Sequence, residues 1–411
     1  MIDIRELRRD PDAYLARLAR KGAERLGGEL LEIDVAWRRE TANVESLRAE
    51  QKRSGKPSPD DLSDRAAKKQ QLQKAQALLT DLESRRKDLL DRIPNPPADD
   101  VPDGGKDDFT VLREVGDKPS FAFPARDHLD LAQVHGWIDT VRGTKASGSR
   151  FVYRVGDLAL LELALYRYAV ERLVRKGHVL VLPPVLVRAE AMYGTGFFPT
   201  DAVNIYEVER DGLYLAGTSE VPLAAFHAGE ILDELPIRYV ACSTCFRRES
   251  GAAGKDTRGM FRVHQFDKVE MFVYCSPDSS REEHERLLGL EEGLVQDLGI
   301  PYRVINTAAG DLGAPAVKKY DIEAWFPGQG RYREITSTSN TTDFQSRRFE
   351  IRYRTEGNLA QVHTLNGTAV TARAMLAVLE NFQEADGSVV VPAVLYEFGA
   401  PRRLNGRAST R

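Results

Sequence analysis

Two series of residues stepping alternately by three and four constrain this chain more than any other feature. Between Gly28 and Ile93, one series is Leu30, Ile33, Trp37, Glu40, Val44, Leu47 and Gln51. A second is Leu72, Ala75, Leu79, Leu82, Arg86, Leu89 and Ile93. That spacing puts each series along one seam of an α-helix, the a and d positions of a coiled coil. Ser54-Gly-Lys-Pro-Ser-Pro-Asp-Asp, a cluster of turn formers, separates them. The pattern predicts an antiparallel helical hairpin, an arm of roughly 40–50 Å for helices of about 25–32 residues. Asn95-Pro-Pro-Ala-Asp-Asp-Val-Pro ends the second helix as a hinge. By pattern alone, a coiled coil that dimerises or spaces domains explains the arm at least as well as RNA binding, because its charges nearly cancel.

The remaining three-quarters read as a mixed α/β unit. Leu158 to Lys176 has helical period, and His178-Val-Leu-Val-Leu-Pro-Pro-Val-Leu-Val is an apolar strand interrupted by two prolines. Helix and short-strand signals then alternate without a regular βαβ rhythm. No Walker loop or dinucleotide glycine fingerprint is present, so a nucleotide would be held by another design. The length of 411 residues fits two or three domains, and 42% hydrophobic residues can form a sizeable core. With 58 Lys+Arg against 62 Asp+Glu, any nucleic-acid contact must use local basic patches. Three cysteines argue against a disulfide framework. No apolar run reaches the roughly 18–20 residues needed to span a bilayer, and the start has no signal-peptide core. A cytoplasmic protein without membrane contact is expected.

Arg238 to Tyr274 is the most informative segment. On its first strand Val240, Cys242, Thr244 and Phe246 share one parity, while Arg247 and Glu249 fall on the other. A Gly-rich loop with Lys255, Arg258 and Arg262 follows. On the second strand Val269, Met271 and Val273 share the apolar parity, and Phe266, Lys268 and Glu270 the other. Paired, the two strands offer Arg247, Glu249, Phe266, Lys268 and Glu270 on one platform. An Arg fork, an aromatic face and carboxylates can hold a nucleotide. A surface hairpin with solvated charges explains the alternation equally well.

The segment Phe246-Arg-Arg-Glu-Ser-Gly-Ala-Ala-Gly-Lys-Asp-Thr-Arg-Gly-Met-Phe-Arg-Val-His-Gln-Phe-Asp-Lys-Val-Glu resembles motif 2 of class II aminoacyl-tRNA synthetases, in the form found in seryl-tRNA synthetases. The opening Met-Ile-Asp-Ile-Arg, Asp10-Pro11-Asp12 and the hairpin ending in Arg92-Ile-Pro-Asn-Pro-Pro resemble the same family. Gly177-His-Val-Leu-Val-Leu-Pro-Pro resembles motif 1, Gly217-Thr-Ser-Glu-Val-Pro-Leu the serine-binding loop, and Leu365-Asn-Gly-Thr-Ala-Val-Thr-Ala-Arg motif 3. Tyr332-Arg-Glu-Ile-Thr-Ser-Thr-Ser-Asn resembles the strand whose acidic residue holds a magnesium on ATP. The resemblance runs from Met1 to about Gly399.

It implies an α+β fold: a class II antiparallel sheet flanked by helices over 101–411, preceded by a tRNA-binding coiled-coil hairpin within 1–100. It implies a homodimeric serine–tRNA ligase that forms seryl-adenylate from L-serine and ATP with Mg²⁺ and passes the seryl group to tRNA(Ser), with tRNA(Sec) left open. Arg247, Glu334 and Arg373 would be catalytic. ATP would lie on Arg247, Arg248, Glu249, Phe266, Glu334, Ile335, Thr336, Ser337 and Arg373. Serine would lie among Thr218, Ser219, Glu220, Arg247, Glu270 and Thr368. Glu334 and Ser337 would supply hard oxygen ligands to Mg²⁺. Lys255, Arg258 and Arg262 would meet pyrophosphate or the tRNA acceptor end. Glu220 has a plainer reading as a helix N-terminal carboxylate. Cys242 and Cys245 have CxxC spacing, but alternation puts them on opposite faces and no second pair exists, so no zinc is expected. His264 reads as a hydrogen-bonded structural histidine. Thr368-Ala369 stands where many relatives carry Ser-Gly. Two alternatives stay open: a paralogue feeding seryl-tRNA or activated serine to a biosynthetic or resistance pathway, and a non-catalytic tRNA-binding homologue.

Overall fold

The structure, a computed structural model, describes residues 1–53, 61–250 and 260–405. The turn cluster at 54–60, most of the Gly-rich loop with Lys255 and Arg258, and the end of the tail lie outside the described residues. The chain forms two compact units, Met1–Pro97 and Ala98–Arg411.

The first unit is helical: α1 (Ile4–Arg9), α2 (Pro11–Ala19), α3 (Glu24–Arg53) and α4 (Asp61–Arg92). Asp3 caps α1 by accepting from the Arg5 amide. Asp10 caps α2 by accepting from the Ala13 amide, with Pro11 at the first helical position, where its missing N–H costs nothing. Helix α3 begins at Glu24, ahead of the expected Gly28, and carries Gly27 against α2: a Cβ there would lie 2.6 Å from Leu15 and 2.7 Å from Leu18 side-chain carbons. With 30 and 32 residues, α3 and α4 are each about 45–48 Å long. Along the seam Leu30, Glu40, Val44, Leu47, Leu72, Ala75, Leu82, Leu89 and Ile93 are buried. Ile33, Trp37, Leu79 and Arg86 are only half-buried, and Gln51 is exposed. Partial burial at Trp37 and Arg86 follows from a polar contact beside them. Arg86 stacks 4.6 Å from the Trp37 ring and reaches the carboxylate of Asp34, which is 1% exposed. Arg8 and Arg38 bind the same carboxylate. Burial pushes the Asp34 carboxyl up, but its hydrogen bonds and charge attraction to Arg8 and Arg86 outweigh this and hold it below the usual range.

The second unit is built on an eight-stranded sheet. Its strands are β1 (Thr110–Val115), β2 (Val179–Val181), β3 (Ile237–Phe246), β4 (Gln265–Cys275), β5 (Tyr302–Asn306), β6 (Lys318–Phe326), β7 (Arg331–Thr342) and β8 (His363–Thr371). The order across the sheet is β1-β5-β6-β7-β8-β4-β3-β2. Every pair is antiparallel except β2–β3. Helices α5 (Asp157–Arg175), α7 (Ser280–Asp297) and α8 (Ala372–Asn381) cover one face. Leu158, Leu165, Leu294 and Leu376 from these helices share one core with Val240, Val269, Met271, Ile322 and Leu365 from the strands. Such strands alternate core-facing and outward side chains, as an antiparallel sheet with one covered face requires. On the opposite face, α6 (Glu220–Ala225) packs Leu223 and Ala224 on Phe272 and Tyr274, leaving the other end of β4 open.

Two expectations change in detail. The strand through Arg247 and Glu249 ends at Phe246, and Glu249 adopts φ 51°, so alternation does not govern it. The apolar segment after His178 gives only three residues to the sheet edge. Pro183 and Pro184 cannot donate to a ladder, and Leu186–Val187 joins a separate three-stranded sheet. Among the described residues no helix is long and apolar enough to cross a membrane.

Candidate active site

The open face of β3, β4, β7 and β8 carries a cleft. In β3–β4 the register sets Phe266 opposite Cys245, Lys268 opposite Ser243 and Glu270 opposite Ala241, so Phe266, Lys268 and Glu270 point the same way. They line the cleft with Arg247, Glu249, Glu334, Ile335, Thr336, Ser337 and Arg373, and at one end with Thr218, Glu220, Asn366 and Thr368. Two bulges shape it: one in β8 at Ala369, opposite the Val269–Glu270 step, and one in β7 at Ile335, opposite the Ile322–Glu323 step. Bulges re-aim side chains beside sites. Here they turn Thr368 toward Glu270 (3.4 Å) and Glu334 into the cleft.

Arg247 is fixed from three sides. Its backbone pairs with that of His264, whose Nδ1 also lies 3.0 Å from the Arg247 carbonyl. Its Nε donates to the Gly217 carbonyl at 3.1 Å. A Cβ on Gly217 would lie 3.2 Å from the Phe246 carbonyl oxygen and 3.4 Å from Arg247 Cγ, so the chain passes close to the end of β3 here. The guanidinium lies 5.5 Å from the Phe266 ring centre. Glu249 pairs with Arg262 at 2.6 Å.

One end of the cleft holds a buried polar cluster. Lys268, 5% exposed, forms an ion pair with Glu270, 1% exposed, and donates to the Thr218 hydroxyl at 2.8 Å. Glu220 accepts from Gln345 at 2.7 Å and Asn366 at 3.0 Å. Burial first, then the neighbouring Glu270 charge, pushes the Glu220 carboxyl up to about 7 against the pull of Gln345 and Lys268. At the other end Arg373 donates to Glu334 at 2.9 Å and lies 5.1 Å from the Phe261 ring. Burial works to raise the Glu334 carboxyl, but Arg373, Lys319 and Arg247 outweigh it and hold it below the usual range. Lys319 in turn sits 3.4 Å from Asp311 and 3.2 Å from Asp321.

Among the described residues expected at the site, only Ser219 and Arg248 stand outside the cleft lining. Ser219 is wholly buried, its hydroxyl 2.7 Å from that of Ser243. Arg248 lies over the Tyr206 ring at 5.2 Å. Cys242 packs against the helix-covered core, whereas Cys245 shares the cleft face with Ser243, and burial raises both thiols. Reading the sequence left Gln345 and Asn366 without roles. Gln345 reaches Glu220 across 125 residues and carries no local signal. Asn366 has the same parity as Thr368, a signal that could have found it.

A largely antiparallel sheet with three helices covering one face and a cleft on the other, an Arg-aromatic platform and a second Arg beside a carboxylate define the core of a class II aminoacyl-tRNA synthetase. Residues 206–382 match the family described as tRNA synthetase class II core domain (G, H, P, S and T), and residues 1–97 match the seryl-tRNA synthetase N-terminal domain. The chain is 50% identical to a serine–tRNA ligase of Thermobifida fusca, covering 97% of both chains. It is 51% identical to that of Acidothermus cellulolyticus over 97% of this chain and 98% of the other. A crystal structure of seryl-tRNA synthetase from Pyrococcus horikoshii complexed with ATP superposes with a TM-score of 0.93 at 38% identity, covering 99% of this chain and 100% of the other. The chain belongs to the serine–tRNA ligase family, whose reaction joins serine to tRNA.

Proposed function

We propose that the cleft binds ATP and L-serine side by side, forms seryl-adenylate, and passes the seryl group to tRNA(Ser). The observation that carries this reading is one continuous lining. A buried ammonium–carboxylate–hydroxyl cluster suited to a polar amino acid meets, at Arg247, a platform suited to a nucleotide. Glu220, Glu270 and Thr218 would receive the serine ammonium and Thr368 with Glu270 its hydroxyl. A site built to pair a hydroxyl rejects alanine, because its buried partners would be left unpaired. Arg247 would neutralise the serine carboxylate and the α-phosphate as the carboxylate oxygen attacks phosphorus and pyrophosphate leaves. The chemistry asks for positioning and charge stabilisation, with no covalent enzyme intermediate. Phe266 would stack on adenine, Glu249 would accept from its amine on leaving Arg262, and Arg373 would reach the terminal phosphates.

Mg²⁺ fits the donor set at the phosphate end. The charges of Arg373, Lys319 and Arg247 favour the ionised form of Glu334, and Ser337 adds a hydroxyl, both hard oxygens. When bound, the ion would neutralise phosphate charge there. The α3–α4 arm would take the tRNA by shape and backbone. A homodimer is supported by apolar side chains left exposed near the sheet edge: Val179, Leu180 and Leu182, and on α5 Leu160 and Leu163. Free cysteines agree with a cytoplasmic location. ATP–pyrophosphate exchange across the twenty amino acids tests the reading. Exchange with serine alone is expected, and exchange with another amino acid, or none, would refute it.

A further inference from the structure

Beneath the cleft lies a buried acid that no step above uses. Glu291, on α7, is wholly buried, and its Oε2 stands 2.5 Å from the Thr336 hydroxyl. Its Oε1 has no hydrogen-bond partner and faces Gly367, where a Cβ would lie 2.8 Å from it. Thr336 and Gly367 belong to neighbouring strands, at the point where their pairing stops. The β7–β8 ladder runs through Asn340–Leu365 and Ser339–Asn366 to Thr338–Gly367 and does not continue to Thr336. Past that fork each strand pairs only with its outer neighbour, and each carries a bulge, at Ile335 and Ala369. No ladder bond therefore fixes their separation where Ser337 and Thr368 enter the cleft. Burial pushes the Glu291 carboxyl well up against the Thr336 hydrogen bond, and the Glu270 and Asp321 charges push the same way. An uncharged acid there can donate as well as accept.

We propose that Glu291 is a positioning residue for serine activation: a wedge in the β7–β8 fork that sets the distance between Ser337 on one strand and Thr368 on the other. The inference rests on the reading of the cleft as a serine and ATP site. Helix α7 supplies the wedge because it packs across both strands from the core side. Glycine at 367 is what admits the carboxyl.

The test is steady-state ATP–pyrophosphate exchange with serine for full-length Glu291→Gln, Glu291→Ala and Gly367→Ala, with thermal melts alongside. Gln keeps a donor and an acceptor, so its kcat and KM should stay within about threefold of wild type. Ala should lower kcat/KM for serine by about 10–100-fold, the size expected of a displacement near 1 Å, with a smaller change in KM for ATP. Should Glu291→Ala not fold, Gly367→Ala carries the test, since its methyl displaces the carboxyl and should raise the serine KM. Unchanged serine parameters in Ala variants that fold would overturn the proposal. So would a loss that Gln shares with Ala, or a lowered melting temperature with intact KM. If the wild type exchanges with serine and the variants match it, this inference alone fails. A wild type with no serine exchange overturns the reading of the cleft and this inference with it.

Discussion

Replacing Glu220 by Gln should make the free protein more stable at pH 8 while damaging serine activation. The carboxyl is raised from near 4.5 to about 7 by burial and by Glu270. The fold therefore favours the protonated form. Nothing is lost below about pH 4.5; the cost grows as pH rises toward 7 and is complete above it. A rise of that size corresponds to on the order of 3 kcal/mol, which water entering the cleft reduces to about 1–2 kcal/mol. The amide keeps an oxygen to accept from Gln345 and Asn366, so those bonds survive. At roughly 2–4 °C per kcal/mol, the variant should melt about 2–8 °C above wild type at pH 8 and nearly level with it at pH 5. In exchange assays the lost charge-assisted bond to the serine ammonium should lower kcat/KM for serine by about 10–150-fold, corresponding to about 1.5–3 kcal/mol. Equal melting offsets at both pH values would refute the electrostatic account of Glu220. Unchanged serine kinetics would refute its place at the ammonium.

Lys268→Met should strand the Glu270 carboxylate, 1% exposed, without its partner, costing about 3–5 kcal/mol and abolishing exchange; a melt and an exchange assay check both. Asp34→Ala should loosen the arm by about 1–3 kcal/mol, reduced because its arginines reach solvent, and lower tRNA charging while exchange is kept. Because the Asp34 carboxyl is held low, that contribution is present above about pH 4 and lost as pH falls through its folded value, which helical circular dichroism would follow. Glu334→Gln should raise the Mg²⁺ concentration needed for half-maximal exchange by about tenfold or more, read from a Mg²⁺ titration. An unchanged titration would remove Glu334 from the metal.

The parts of this molecule that were legible in the sequence are those ruled by local periodicity. The heptad steps named the arm's buried seam because helix geometry repeats every few residues. Alternation brought Phe266, Lys268 and Glu270 onto one face because β4 is regular there and pairs with β3 in register. It stopped being a guide at Glu249, where the strand has ended and φ is positive, and at the bulges beside Thr368 and Glu334. Asp34 was missed because a buried acid off the heptad seam makes sense only once Arg8 and Arg86 arrive from other helices. Gln345 and Glu291 were missed for the same reason: their partners are distant in sequence and share no spacing with them. Glu220, Glu334 and Arg373 came from resemblance, with no periodicity of their own to mark them.

A crystal structure with a non-hydrolysable seryl-adenylate analogue bound would show whether the cleft seats serine and nucleotide side by side. Adenine is expected against Phe266, the acyl phosphate mimic on Arg247, and the serine ammonium between Glu220 and Glu270 with its hydroxyl toward Thr368. An analogue bound with its amino-acid end away from the Lys268–Glu270 cluster, or outside the cleft, would contradict it.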